Sequence, residues 1–263
     1  MKKLTLIKYL NTRLERQFGI RNVELGMERI PDDVTAQRKL LRALMNVCPP
    51  TDFDENFLRL QDELLSAEVS ERGVVKPEDI PNIAAQIKLW RGDITRLAVD
   101  AIVNAANEKL LGCFVPLHGC IDNAIHSAAG LQLRNACQKL MAAQGHDEPT
   151  GCAKITPAFN LPSKFVLHTV GVIIPPDREP NVAEERQLAA CYESCLELAA
   201  EHDLHSVAFC CISTGEFHFP NRRAAEIAVA TVKKFLATHE LEIVFNVFKD
   251  VDEKIYRELL SDL

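Results

Sequence analysis

The sequence lacks an excess of positive charge, a long apolar run and a phosphate-loop fingerprint, and each absence excludes a class of protein. Lys and Arg total 30 against 37 Asp and Glu, so the net charge of −7 disfavours binding of nucleic acid by bulk charge. No apolar stretch reaches the roughly 20 residues that a membrane helix needs. Neither GxxxxGKS/T nor GxGxxG occurs, which disfavours an ordinary NTPase or Rossmann dehydrogenase. A small anionic ligand stays possible, because backbone donors can outweigh net charge.

The cysteine count and the first residues indicate a compartment. Nine cysteines is an odd number, so complete intramolecular pairing is impossible, and we expect a reducing, cytoplasmic environment. The start MKKLTLIKYL has the basic opening of a signal peptide. Lys8, Arg13 and Arg16 interrupt its apolar run, so we expect no export signal.

The first 84 residues differ in pattern from the rest. Apolar residues recur there at helical spacing, as at Leu40, Leu41 and Leu44, which predicts two or three amphipathic helices. Thr51 and Asp52, after a Pro-Pro break, are predicted to cap the next helix. We therefore predict a helical N-terminal extension over 1–84 and a second domain over 85–263.

From about Gln86, short apolar runs alternate with helical patterns. The strand candidates are IKLW, AIVNAA, FVLHTVGVI, SVAFCCI and EIVFNVF. Continuous apolar strands suit a sheet that is covered on both faces. The alternation predicts a three-layer α/β/α sandwich, although local pattern alone does not fix the order of the strands.

The densest chemical segment runs from Leu111 to Asn123 and carries Cys113, His118 and Cys120. A proline and flanking glycines predict a loop, which can bring two thiols and one imidazole, preferred ligands of Zn²⁺, onto one metal. Three protein ligands leave a position open, as in a catalytic site, whereas a fourth would close a structural site. The spacing fits equally well two small buried cysteines beside an ordinary loop histidine, and it does not decide between these interpretations.

Polar side chains follow the strand AIVNAA. Asn104 and Asn107 lie at its end, where α/β folds place their sites, although asparagine also commonly satisfies loop backbone groups. Asp122 opens a helical pattern, so it is either a helix cap or a carboxylate aimed at a substrate.

Two further turns follow apolar strands. Ser213, Thr214 and Gly215 can present hydroxyl and backbone N–H groups to phosphate oxygens, and Phe217 can face a sugar or an aromatic ring. Asp93, after IKLW, can cap the next segment or accept a hydrogen bond from a ligand amino group.

Taken together, these segments resemble the macrodomain family in order and spacing. They are GDIT at 92–95, DAIVNAAN at 100–107, GCAKITPAFNLPSKFVLHTVG at 151–171 and SVAFCCISTGEFHFP at 206–220. The resemblance runs from about Leu89 to the C-terminus. The usual glycine-rich loop of the hydrolytic members is replaced by LLGCFVPLHGCIDNAIH, which is similar to the zinc-dependent macrodomains, and these also carry a helical N-terminal extension.

This resemblance implies a mixed central sheet and removal of mono-ADP-ribose from a modified protein side chain, with ADP-ribose as product. It implies that Asn107 and Asp122 are catalytic and that Cys113, His118 and Cys120 bind Zn²⁺. The ADP-ribose site that it implies consists of Asp93 and Ile94 at the adenine, Asn107, Cys120, Ile121 and Asp122 near the distal ribose, and Ser213, Thr214, Gly215, Glu216 and Phe217 around the diphosphate and distal ribose.

The resemblance also suggests partners. Zinc-dependent macrodomains often accompany a sirtuin-type ADP-ribosyltransferase and a lipoyl-carrier protein resembling the glycine cleavage H protein, so that carrier is the expected substrate. Two alternatives remain: a reader module that binds ADP-ribose without cleaving it, and a redox switch in which oxidation of Cys113 and Cys120 expels the metal.

Overall fold

The computed structural model describes residues 2–261 and places eight α-helices and seven strands within them. The helices are α1 (Lys3–Phe18), α2 (Val34–Val47), α3 (Glu55–Arg72), α4 (Ile121–Ala129), α5 (Leu131–Gln144), α6 (Val182–Glu201), α7 (Asn221–Leu236) and α8 (Asp250–Ser261). The strands are β1 (Asn82–Ala84), β2 (Ile87–Arg91), β3 (Ala101–Ala106), β4 (Ala153–Pro157), β5 (Phe165–Val170), β6 (Ser206–Phe209) and β7 (Glu242–Val247).

The strands form one mixed sheet in the order β1-β2-β7-β6-β3-β5-β4. The five predicted apolar runs are its central, mutually parallel strands, and antiparallel β1 and β4 lie at the two edges. Helix α4 packs with β3 and α5 with β4, whereas α6 contacts β4 and β5, α8 contacts β1, β2 and β7, and α7 lies between α6 and α8. The predicted α/β/α sandwich with a mixed central sheet is thus confirmed. Its parallel centre brings the carboxyl ends of five strands to one edge.

Local sequence explains where some elements end. The helical pattern that follows Asp122 is two helices, because Gly130 between α4 and α5 has φ of 96°, which a helix does not allow. The prediction that Thr51 and Asp52 cap α3 is wrong. Asp54 is the cap, since its carboxylate accepts a hydrogen bond from the Phe57 N–H.

The extension consists of α1, α2 and α3, which share an apolar cluster of their own. Leu131 of α5 belongs to that cluster, and α2 contacts α4, so the extension packs on the α4–α5 side of the sheet. The domain boundary between residues 84 and 85 stays a prediction. No helix within residues 2–261 is long and apolar enough to cross a membrane.

Candidate active site

A cleft of about 960 Å³ opens at the carboxyl ends of the parallel strands. It is lined by segments that follow β2, β3, β6 and β7 and by the loop that leads into α4. The residues predicted from the sequence all lie on its wall: Asp93, Ile94, Asn107, Cys113, His118, Cys120, Ile121, Asp122, Ser213, Thr214, Gly215, Glu216 and Phe217. The topology therefore brings together side chains that are up to 124 positions apart in the sequence, from 93 to 217.

The loop between β3 and α4 places two sulfur atoms and one nitrogen atom together. The side-chain donor atoms of Cys113, His118 and Cys120 lie within 4.8 Å of one another. Cys113 Sγ is 3.6 Å from His118 Nδ1. With Zn–S bonds of about 2.3 Å and Zn–N bonds of about 2.05 Å, a tetrahedral ion separates S from N by about 3.6 Å. The three donors thus fit one Zn²⁺ in both chemistry and spacing.

The surroundings of the sulfur and nitrogen donors also suit a cation. Burial raises the pKa of the Cys120 thiol to about 12, so the metal-free thiol is protonated at neutral pH and a bound cation would stabilise the thiolate. The carboxylate of Glu216 lies 3.7 Å from His118 Nε2, the nitrogen on the far side of the ring from Cys113. A carboxylate behind a histidine ligand favours the tautomer that presents the other nitrogen to a metal.

Asp122 lies in the first turn of α4 and is buried. Asn104 Nδ2 donates to Asp122 Oδ1 over 2.8 Å. Burial raises the pKa of Asp122 to about 6, and this rise is opposed by the Asn104 hydrogen bond and the charge of Arg134. His126, one turn further along α4, has its Nε2 3.5 Å from the same Oδ1 atom, and burial lowers the pKa of this imidazole well below 6.5.

Asn107 holds the loop that begins at the end of β3. Its Nδ2 donates to the Gly112 carbonyl over 3.2 Å, and its Oδ1 accepts from the Lys109 N–H over 3.0 Å. This is the loop-satisfying role that asparagine commonly plays. Since Asn107 also lines the cleft, its predicted catalytic role stays a prediction.

The segment after β6 folds back on itself at the cleft. Ser213 has φ of 66°, and its Oγ accepts from the Val172 N–H over 2.8 Å. Its carbonyl accepts from the Phe219 N–H over 3.0 Å. In the part of the chain that the structure covers, the N–H groups of Gly215 and Phe217 donate to no other protein group. Such groups are the donors that an anionic oxygen needs.

Asp93 lies near another part of the cleft, after β2. Its Oδ1 accepts from the backbone N–H of Thr95 over 3.0 Å, which confirms the predicted cap. Arg72 Nη1, at the end of α3, donates to Oδ2 over 3.0 Å. The carboxylate thus has a fixed orientation before any ligand arrives.

Sequence reasoning missed several residues of the cleft. Asn246 lies at the end of β7 and Phe248 follows it, and the rule that sites lie at strand ends could have found both. Arg42 of α2 also lines the cleft, but no local signal in the sequence connects this helix with a loop some 75 residues later.

Comparisons with known proteins agree with this geometry. A Macro domain family model matches residues 103–228. A protein-ADP-ribose hydrolase of Treponema medium is 49% identical over 269 residues, which covers 99% of this chain and 98% of that protein. A macrodomain of Trypanosoma brucei in complex with ADP-ribose superposes with a TM-score of 0.64 at 30% identity, over 83% of this chain and 94% of the other. A macrodomain of Oceanobacillus iheyensis with ADP gives 0.60 at 40%, over 67% and 90%.

Fold and cleft together define an α/β/α protein that receives its ligand at the carboxyl edge of a largely parallel sheet. Within that class, the matching Macro domain model and the 40% identity to the Oceanobacillus iheyensis macrodomain, 90% of which is covered, identify one family. The chain belongs to the macrodomain family.

Proposed function

We propose that the chain is a protein-ADP-ribose hydrolase that releases mono-ADP-ribose from a modified side chain and depends on Zn²⁺. The observation that carries this proposal is the meeting of a metal-type donor set and a buried carboxylate, Asp122, in one cleft. Binding of ADP-ribose alone requires neither. The Treponema medium relative, named protein-ADP-ribose hydrolase, supports the same activity.

The cleft has groups for each part of ADP-ribose. The fixed carboxylate of Asp93 accepts a hydrogen bond from the adenine amino group, beside the Ile94 N–H. The free N–H groups of Gly215 and Phe217 bind the diphosphate, which a cleft in an acidic protein can hold through backbone dipoles. The Phe217 ring packs against the distal ribose.

Hydrolysis breaks the bond between C1″ of the distal ribose and the oxygen or nitrogen of the modified side chain. Water attacks C1″ and gives one proton to a base as the bond to the side chain breaks. The base then passes that proton to the departing side chain, so no proton is gained or lost overall. Asn104 holds Asp122 Oδ1, so Oδ2 of Asp122 is the atom that accepts the proton from water. Asn107 orients the ribose, and fixing both reactants in one geometry lowers the entropic part of the barrier.

Cys113, His118 and Cys120 hold the metal in this proposal, and Glu216 supports the His118 ring. When bound, Zn²⁺ supplies a Lewis acid at this end of the cleft.

The test measures zinc content and the release of ADP-ribose from a mono-ADP-ribosylated protein. The wild-type protein should contain one Zn²⁺ and release ADP-ribose, and a chelator should stop release until zinc is restored. C120S should lose zinc and lose activity by more than the about 100-fold that substitutions behind a metal ligand reach. D122N should keep zinc and lose about 100-fold to 10,000-fold in kcat.

The exposed thiol of Cys152 provides the matched control, and C152S should behave as wild type. Wild-type protein that binds ADP-ribose but releases none would overturn the hydrolase in favour of a reader. Full activity with no zinc bound would overturn the metal dependence alone.

We further propose that the substrate is a lipoyl-carrier protein modified by a sirtuin-type ADP-ribosyltransferase in the cytoplasm. The support is the resemblance of the Cys113–Cys120 loop to zinc-dependent macrodomains, together with nine free cysteines among the residues described. A modified carrier should show a higher kcat/KM than an unrelated protein with the same linkage. Equal values for the two substrates would overturn this preference.

A further inference from the structure

Helix α2 of the extension reaches the loop that carries the proposed metal ligands. Arg42 Nη2 donates to the His118 carbonyl over 3.1 Å and to Asn123 Oδ1 over 2.8 Å. Arg42 Nε also donates to Asn123 Oδ1, over 3.3 Å. One planar guanidinium therefore fixes a proposed ligand residue and the first turn of α4 relative to each other.

Asn123 extends this contact to the other end of the loop. Its side chain is fully buried, and its Nδ2 donates to the Val115 carbonyl over 3.0 Å. Its backbone N–H donates to Cys120 Sγ over 3.4 Å. Arg42 is thus linked through one residue, Asn123, to the sulfur of Cys120, a second proposed ligand.

Asn46, one turn after Arg42, holds the residue before His118. Its Oδ1 accepts from the Leu117 N–H over 2.9 Å, and its Nδ2 donates to Ser127 Oγ over 3.0 Å. Leu117 has φ of 58°, a conformation that disfavours any residue with a Cβ atom. Its side chain packs against the apolar cluster of α1–α3. The strained turn that aims His118 is therefore held by the extension.

We propose that Arg42 and Asn46 are positioning residues which keep the Cys113–Cys120 loop in its metal-binding geometry, so that the extension is a working part of the site. The inference deepens the proposed function and rests on its zinc site. Groups behind metal ligands set how well the ligands are preorganised, and their loss commonly weakens metal binding by about 10-fold to 100-fold.

Arg38 provides a matched control on the same helix, one turn before Arg42. Its Nε and Nη2 donate to the two carboxylate oxygens of Glu68 on α3, over 2.6 and 2.9 Å. This pair is partly buried and lies wholly within the extension. Removing it disturbs the helices without touching the loop.

The experiment measures zinc affinity at fixed pH and temperature by competition with a chromophoric chelator, together with the melting temperature and with kcat and KM. R42M and N46S should bind zinc about 10-fold to 100-fold more weakly than wild type. R42K, which keeps one donor for the His118 carbonyl, should recover part of that loss. R38M should keep its zinc affinity within two-fold, even if it melts at a lower temperature. With zinc in excess, R42M should recover most of its kcat.

Wild-type zinc affinity in folded R42M and N46S, or an equal loss in R38M, would overturn the proposal. If R42M does not fold, R42K and N46S decide the matter by the same comparison with R38M. Wild-type protein without measurable zinc affinity would overturn both this inference and the metal site. Zinc affinities that follow the expected order in a protein that releases no ADP-ribose would instead overturn only the hydrolase.

Discussion

At the scale of single residues, a buried polar chain runs from β4 to the cleft. Asn104 Nδ2 donates to Asp122 Oδ1 and lies 3.1 Å from His168 Nδ1, so its two hydrogens serve one acceptor each. His168 Nε2 then carries the proton and faces Thr156 Oγ1 over 2.9 Å. Since all four side chains are buried, the orientation of the Asp122 carboxylate is set from behind by β3, β4 and β5.

Replacing Asn104 should therefore impair catalysis more than it impairs folding. N104L removes the donor to Asp122 and leaves His168 Nδ1 without a partner. We expect kcat to fall by at least about 10-fold and the free energy of unfolding to fall by about 1–3 kcal/mol. Urea unfolding and ADP-ribose release measure the two effects.

Asn11 of α1 is a buried carboxamide that bonds to Gln37 far from the cleft, and N11L is the matched control. It should lose a similar amount of stability and keep its kcat. An equal loss of kcat in both variants would contradict the role given to Asn104.

The neutral His168 makes stability depend on pH. Burial lowers the pKa of His168 from 6.5 to about 3, and the titratable groups that face it, Cys137 on α5 and His126 on α4, are buried as well. Below pH 6.5 the His168 imidazole binds a proton in the unfolded chain, whereas in the folded protein it stays neutral down to about pH 3. The free energy of unfolding should thus fall as pH drops from about 6.5 to 3, by up to about 1.4 kcal/mol per pH unit for this residue.

Urea unfolding between pH 4 and 7, with EDTA present, measures this slope. H168Q should reduce the slope, whereas H239Q, which alters an exposed histidine, tests whether the loss of any histidine has this effect. An unchanged slope in H168Q would contradict the assignment.

At the scale of elements, the sequence predicted the strands that form continuous apolar runs. The five central strands and the helices of the second domain lie where the pattern placed them, because both faces of these strands are covered. Strands β1 and β4 were missed. Both are edge strands, one of three residues and the other only partly buried, so neither leaves a long apolar run.

The loop between β3 and α4 depends on one glycine. Gly112 has φ of 85°, and a Cβ atom there would lie 2.9 Å from the buried ring of His126. G112A should lower the free energy of unfolding by about 1–3 kcal/mol and reduce zinc content. Gly119 in the same loop has open space around it, so G119A should be nearly neutral. Thermal melting and metal analysis measure both variants, and equal behaviour would contradict this account.

At the scale of the whole molecule, Arg134 of α5 joins the sheet domain to the extension. The side chain is buried, and its Nε donates to the Leu111 carbonyl over 2.7 Å. Its Nη1 donates to the carbonyls of Met45 and Cys48 at the end of α2. The guanidinium also lies 4.3 Å from the centre of the Phe114 ring. The Arg134 guanidinium thus connects α5 with the end of α2 and with the loop between β3 and α4.

Removing the Arg134 guanidinium should lower the free energy of unfolding substantially. R134M leaves three carbonyls, two of them in buried hydrogen bonds, with one donor fewer each, and we expect a loss of about 3 kcal/mol or more in the free energy of unfolding. R178M removes an exposed arginine that pairs with Glu184 and should cost at most about 1 kcal/mol. Urea unfolding compares the two, and similar losses would contradict a bridging role for Arg134.

The sequence did not predict where the extension packs on the rest of the molecule. Its helices were predicted from their own periodicity, and its length was read from a change of pattern. The contacts of Arg42, Asn46 and Arg134 between the extension and the second domain join residues 71 to 89 positions apart, and nothing in local spacing marks such pairs. The proposed metal ligands were found because they lie within eight residues, whereas the groups that hold their loop come from elsewhere in the chain.

Cys120 has two tasks, because its sulfur both faces the other proposed ligands and caps α4 by accepting the Asn123 N–H. A thiolate is a stronger acceptor than a thiol, so binding of a cation should tighten the first turn of the helix on which Asp122 lies. A cation bound at the loop would then make transient opening of that helical turn less frequent. The Asn123 amide should exchange its hydrogen with solvent more slowly in the zinc-loaded protein than in the chelated one.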